Sequence, residues 1–408
     1  MKNKARIAFD YIPVLLAFLL PFGGFLSVLI ILWFITSWFC FKKEEFLNGL
    51  KNKWFWILFG FLLLHCVSAI LSENKSEALT SIEVKMSFLA FPYFLFLFTL
   101  NKITVRNIFV AFVSGCFFAL LTCLARASFI FISSGDNYFF YNKFSYWIHT
   151  GYFSMYMLFA MVIVQLAYPS WFGKDPYNKY IRWILTGLFM LGIFLCASKI
   201  GYIAFFITAV FLVLTKFRSK LNLKALSIGS ALVLLILFTL YKVSPAPFER
   251  LMAAFTATSS GNIDKTSSES TAVRILIWEQ CVDIVKDHFL LGVGSGDAND
   301  VLYAKYEEQG LEGAMEHNLN AHNQFFQTFI ALGVFGFLIL FVSSFGTLIL
   351  GILRKNLILS LFSLIIILNF LVESMLQTQA GNLFYVYFLC VLLRFDVMKL
   401  GSKEISCD

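Results

Sequence analysis

The chain has 408 residues, of which 59% are hydrophobic and 14% charged, with 50 phenylalanines and a formal net charge of +8. Soluble domains average about 45–50% apolar and about 25% charged residues, so this composition excludes a soluble globule. Nor does the positive charge signal a nucleic-acid partner: the lysines and arginines sit between hydrophobic runs, where the positive-inside rule places them.

Several apolar runs approach or exceed the roughly 20 residues that cross a bilayer core as a helix. A membrane β-barrel would need alternating polar and apolar residues, and runs such as ALVLLILFTLY at 231–241 do not alternate. The N-terminus carries Lys2, Lys4 and Arg6 before an apolar run, in the manner of a signal peptide. Pro21-Phe22-Gly23-Gly24 interrupts that run and more apolar sequence follows, without a small-residue cleavage site. The expectation is an uncleaved hairpin of two spans, at 9–21 and 24–41, joined by a tight turn. Further spans are predicted at 54–71, 86–100, 107–132, 150–168, 183–197, 200–215, 225–241, 322–352, 356–372 and 382–395. The reading is an all-α integral membrane protein with about twelve transmembrane helices.

Charge orients it. With the N-terminus inside, 21 of the 32 lysines and arginines fall in inner segments and 10 in outer ones, while Arg126 lies within a span. Both termini are therefore expected in the cytoplasm, and the long polar loop outside. The chain divides into N-terminal helices (1–182), central helices (183–241), an outer loop domain (242–321), and C-terminal helices with a tail (322–408). The loop reads as a mobile Ser/Thr/Gly linker at 256–270, a helix at about 271–288, and an acidic stretch. Of the eight cysteines only Cys281 falls in that loop, so no disulfide framework is implied there.

Polar residues at the span ends are the candidates for chemistry. On the predicted helix, Val273, Ile277, Trp278, Cys281, Ile284 and Val285 form an apolar face, and Arg274 lies four residues before Trp278. The plain reading is an amphipathic helix with Arg274 stacked on Trp278; the functional one is a guanidinium that binds phosphate oxygens. Gly292-Val293-Gly294-Ser295-Gly296 looks like a phosphate-cradling loop, but no strand precedes it, and a turn joining two helices explains it better. His317 and His322 are five apart, off one helical face, and no HExxH is present, so a metal site is not expected. His322 stands where the polar loop meets the next apolar run and is followed by Asn323. It is either an interfacial residue or a neutral imidazole acting as a base. Lys199 splits the run 183–215 and either snorkels or binds phosphate as a point charge. Glu373 follows the eleventh span. His65 and Arg126 are intramembrane ionisable groups, candidates by default, with packing or snorkelling as the plainer alternative.

Together these motifs resemble the O-antigen ligase and polymerase family of bacterial membrane proteins. Ser198-Lys199-x-Gly201 resembles the family's Ser-Arg-Gly between two spans. Arg274-x-x-x-Trp278 with Gly292-x-Gly294-x-Gly296 resembles its loop signature. His322-Asn323 with Leu332-Gly333-x-x-Gly336, and Glu373-Ser374 with Gly381, resemble its two later segments. The likeness covers about 190–395; the first 180 residues agree only in topology. Two departures stand out: Lys199 replaces the usual arginine, which keeps charge but loses bidentate geometry, and Leu290 or Leu291 replaces a proline.

The resemblance implies a GT-C-like fold in the bacterial inner membrane with its active site facing the periplasm. It implies a metal-independent, inverting transfer of a glycan from undecaprenyl diphosphate to an acceptor hydroxyl, with no cofactor. His322 would be the catalytic base, Arg274 and Lys199 would hold the donor diphosphate, and Trp278, Asn323 and Glu373 would support them. The leading acceptor is lipid A–core, which makes a ligase. A polymerase of lipid-linked repeat units uses the same donor chemistry, and a protein glycosyltransferase is a third member of the group. A polysaccharide transporter would more naturally show internal repeats and broken midplane helices, whereas here polarity gathers in one outer loop.

Overall fold

Asparagine recurs at helix starts, and the reason is local. The side chains of Asn52, Asn74, Asn101, Asn323 and Asn356 each accept a hydrogen bond from a backbone N–H of the first turn that follows, satisfying donors that a helix leaves open. In the computed structural model, which describes residues 2–172, 175–216 and 271–395, the described residues are helical and contain no strand. The helices in chain order are α1 (Lys2–Leu19), α2 (Leu26–Cys40), α3 (Lys43–Gly49), α4 (Lys53–Leu71), α5 (Lys75–Lys85), α6 (Ser87–Leu97) and α7 (Lys102–Ser134). There follow α8 (Tyr141–Phe144), α9 (Thr150–Leu166), α10 (Tyr168–Phe172), α11 (Pro176–Cys196) and α12 (Lys199–Lys216). The polar segment supplies α13 (Thr271–Asp287), α14 (Ala298–Gln309) and α15 (Glu312–Glu316). The chain closes with α16 (Gln324–Phe341), α17 (Thr347–Leu353), α18 (Leu357–Phe370) and α19 (Gln379–Arg394).

By length and composition, six helical stretches among the described residues suffice to cross a membrane: Asn3–Phe22, Lys53–Leu71, Lys75–Leu97, Ile103–Ser134, Pro176–Cys196 and Gln324–Leu353. Leu26–Cys40, Thr150–Leu166, Lys199–Thr215 and Leu357–Phe370 are shorter apolar helices. The predicted span at 225–241 and the linker at 256–270 lie outside the described residues. One boundary differs from expectation. The polar stretch 75–85, read as an outer connection, is helix α5 and runs almost directly into α6. The hairpin turn is as predicted, with Gly23 in the left-handed region (φ 71°) at its bend.

Two helices form the centre. Nearly every residue of α9 from Tyr152 to Leu166 is buried, as is every residue of α19 from Gly381 to Leu392. An all-round apolar helix belongs inside a bundle rather than at its surface. Phe112, Phe159, Phe362, Phe384 and Phe388 interlock between α7, α9, α18 and α19, with Phe112–Phe388 centroids 4.6 Å apart and Phe159–Phe362 5.0 Å apart. The flank is different: α2 exposes Ile31, Ile35 and Trp38, which suits a face in contact with lipid.

The polar segment is docked rather than dangling. Val273, Ile277, Cys281 and Ile284 of α13 are buried, as the periodicity predicts, together with Leu302 and Tyr306 of α14. The glycine-rich turn then clasps two other elements. Its Val293 and Gly294 amides donate to the carbonyls of Ile330 and Ala331, and its Ser295 and Gly296 amides donate to the hydroxyls of Ser68 and Ser72. With four consecutive N–H groups engaged, the turn offers no backbone nest for phosphate, and the plainer reading of it holds. Gly333 explains the partner side. Its φ of 63° and ψ of −159° kink α16, and a Cβ there would lie 2.2 Å from the Leu290 carbonyl oxygen. Only glycine allows that approach.

Candidate active site

His322, Asn323 and Glu373 meet at the end of the bundle that carries α13. Asn323 is the pivot. Its Oδ1 accepts from the amides of Phe325 and Phe326, capping α16, and its Nδ2 donates to the Leu371 carbonyl at 3.1 Å. One side chain therefore starts the helix and ties it to the loop that follows α18. Gln324 adds a second tie, its Oε1 accepting from the Leu376 amide at 2.6 Å. Asn382, from α19, donates to the carbonyls of Leu376 and Thr378. Segment 371–378 is thus held from three directions.

His322 precedes the cap with φ 44°, in the left-handed region. For a residue with a Cβ that conformation is unfavourable by about 1–3 kcal/mol and collects at functional sites. The Asn320 side chain accepts from the His322 amide at 3.0 Å and helps to hold it. The imidazole is thereby aimed at Glu373: Nδ1 lies 3.6 Å from Oε2, just beyond hydrogen-bond length, with both side chains partly open. Burial raises the Glu373 pKa, but His322, Arg274 and His149 outweigh it and hold the carboxyl below its ordinary value.

Arg274 comes from the first turns of α13. Its Nη1 donates to the Val372 carbonyl at 3.0 Å, one residue before Glu373. Burial lowers its pKa and Glu373 raises it, so the two charges face each other across this loop. Among the described cation–aromatic pairs Arg274 does not stack on Trp278, contrary to the plain reading of the sequence. The Trp278 indole N–H instead donates to the Ala321 carbonyl at 2.9 Å, one residue before His322. Trp278 therefore supports the backbone that presents the imidazole.

Lys199 begins α12, where Ala197 at φ 48° breaks the apolar run as the sequence indicated. It is half-buried. A Cβ on the neighbouring Gly201 would lie 2.7 Å from the Ser154 hydroxyl, so this turn packs tightly on the first turns of α9. That same end of α9 carries two residues that the sequence reading missed. The His149 charge is felt by Glu373, and Tyr152 interacts with both Thr378 and Glu373. Only a three-dimensional arrangement reveals them, since neither stands in a recognisable motif. The start of α12, with Lys199, thus lies beside the first turns of α9, while Arg274 reaches the Glu373 loop from α13.

The other candidates separate from this cluster. Arg126 donates to the Lys143 carbonyl and lies 4.6 Å from the Tyr146 ring centroid and 5.1 Å from that of Tyr138. That is the packing alternative. His317 is the C-cap of α15. His65 is buried elsewhere, facing Ser81.

Residues 184–341 match the family model described as O-antigen ligase. Over these residues, less than half of the chain, it is similar to the O-antigen ligase family. The matched stretch runs from α11 into α16 and takes in Lys199, Arg274, Trp278, His322 and Asn323; Glu373 falls beyond it. No curated protein matches the chain. That likeness supports a membrane enzyme of the glycosyltransferase type, in the class that comprises O-antigen ligases and polymerases.

Proposed function

We propose that this protein is an O-antigen ligase: it transfers a glycan from undecaprenyl diphosphate to a hydroxyl of lipid A–core at the periplasmic face of the inner membrane. The observation that carries this reading is the convergence of a histidine, a carboxylate and a half-buried arginine on one loop, 371–374, within and beside the family's ligase segment. The acceptor oxygen attacks the anomeric carbon while the bond from that carbon to the donor phosphate oxygen breaks. The leaving undecaprenyl diphosphate takes the bonding electrons, and the anomeric centre inverts.

Each group then has a task. Glu373, ionised, faces Nδ1 of His322 and favours the tautomer with its proton there, which leaves Nε2 as the base for the acceptor hydroxyl. The 3.6 Å separation shortens to a hydrogen bond as positive charge develops on the ring. Arg274 and Lys199 stabilise the negative charge on the departing diphosphate, fixed cations being most effective where water is excluded. The proposed organisation is twelve spans, with 242–321 as the outer loop domain between membrane segments 183–241 and 322–408. A polymerase is the alternative within the class, and a transporter the alternative outside it.

The lipid-linked material that accumulates in a deletion strain separates these. Long polymer on undecaprenyl diphosphate is the ligase result. Single repeat units would make the protein a polymerase, and no accumulation of either would overturn both.

A further inference from the structure

A polar chamber, lined by neither His322 nor Glu373, lies against the short helical turn at 375–377. It encloses about 130 Å³, well above the roughly 30 Å³ share of one water. Its walls come from α4, α5, the glycine-rich turn, α14, α16 and the short helical turn at 375–377; His65, Ser81, Lys85, Ser295, Gln327 and Gln377 face it. Lys85 is 1% exposed and His65 3%. The Lys85 ammonium donates to Ser81 Oγ at 3.2 Å and to Gln377 Oε1 at 3.4 Å, both neutral and both long. Two further groups have no hydrogen-bond partner among the described residues: Nε2 of His65 and Oγ of Ser295.

Charge explains why this matters. A buried ammonium is strongly unfavourable unless an anion accompanies it, and the nearby acids are otherwise engaged. Asp297 accepts from the amides of Glu73 and Asn74, and Asp300 accepts from the Asn74 side chain. Glu77, the one carboxylate in the chamber wall, is solvent-exposed, as is Thr80 beside it, so they mark the mouth. Among the described residues the walls therefore hold one cation and several unfilled or weakly filled donor positions, but no internal counter-charge. We infer that the chamber is a binding site for a single phosphate-type oxyanion, held by Lys85 with Ser295, Ser81 and His65 as hydrogen-bonding partners. This inference rests on charge balance in the chamber and not on the transfer chemistry at His322.

The test uses the full chain in nanodiscs of zwitterionic lipid, with radiolabelled inorganic phosphate as the probe in equilibrium binding. The expected result is a saturable site that survives Arg274→Ala and weakens at least tenfold in Lys85→Met. Ser295→Ala and His65→Gln keep the cation and should weaken the site severalfold, which guards against a misfolded Lys85 variant. Absence of saturable binding in the wild type would overturn the inference, because Lys85 would then be a neutral strut between α5 and Gln377. Binding lost in Arg274→Ala but unchanged in Lys85→Met, or unaffected by all three chamber variants, would overturn it equally. Competition then identifies the source: displacement by a sugar phosphate assigns a glycan-borne group, and displacement by short-chain phosphatidic acid a lipid headgroup. Resistance to both leaves inorganic phosphate itself as the ligand.

Discussion

Asn323 makes the two ties that place His322 next to Glu373, so its replacement has a calculable effect. Asn323→Ala removes the cap of α16, where two amides lose their acceptor; such a loss destabilises by about 0.5–2 kcal/mol. It also removes the bond to the Leu371 carbonyl, a contribution of about 0.5–1.5 kcal/mol. The sum is roughly 1–3.5 kcal/mol. Asn323→Ser keeps a cap oxygen but not the reach to Leu371, so it should recover the cap share and leave a deficit of about 0.5–1.5 kcal/mol. Transfer should fall in both variants, because either one frees the Glu373 loop from the helix that presents the imidazole. Thermal unfolding in nanodiscs, paired with transfer rates on the same samples, measures both effects. If Asn323→Ser is as unstable as Asn323→Ala, the cap is not what the side chain supplies. If Asn323→Ala transfers normally, the tie has no bearing on the site.

Other outcomes follow from the same geometry. The Glu373 carboxyl is held below its ordinary value of 4.5, so its contribution to stability is fully present above that pH and is lost as pH falls through the lower folded value. Glu373→Gln should therefore be less stable near neutrality and show a flatter decline in acid; melting curves parallel to the wild type from pH 7 to 3 would contradict this. Arg274→Ala should weaken the transition state by about 1.5–3 kcal/mol, the range for a hydrogen bond to a charged group, while Lys199→Arg should be tolerated; donor titrations of the transfer rate decide both. For topology, single cysteines replacing the exposed Glu308 and Glu44 should react oppositely with an impermeant reagent in intact spheroplasts. Labelling at 44 but not at 308 would invert the orientation.

Much of this architecture was legible because membranes permit few solutions. Apolar runs of sufficient length must be helices, and the amphipathic period of 273–285 located α13 and its buried face. The breaks at Gly23 and at Ser198–Lys199 were legible for the same reason, as interruptions of long apolar runs. What escaped was tertiary. The Gly292–Gly296 turn was legible as a joint between two helices, but not the partners that engage its amides, Ile330, Ala331, Ser68 and Ser72, which lie far from it in sequence. Arg274 and Trp278 have the spacing of a stacked pair, but each finds a backbone carbonyl instead, at Val372 and Ala321. Lys85 counted as one more outer charge, because nothing local reveals that α5 sinks it among α4, α14 and α16. His149 and Tyr152 were invisible until α9 brought its first turn beside Glu373.

The central claim is that His322 takes the proton from the acceptor hydroxyl, and the most direct measurement is the transfer rate of the reconstituted protein with His322 or His317 replaced by alanine. General-base assistance contributes typically 10²–10⁴-fold. His322→Ala should lose transfer by about that factor while it retains fold and donor binding, and His317→Ala should transfer like the wild type. Near-normal transfer by His322→Ala, or failure of His317→Ala in its place, would contradict the account.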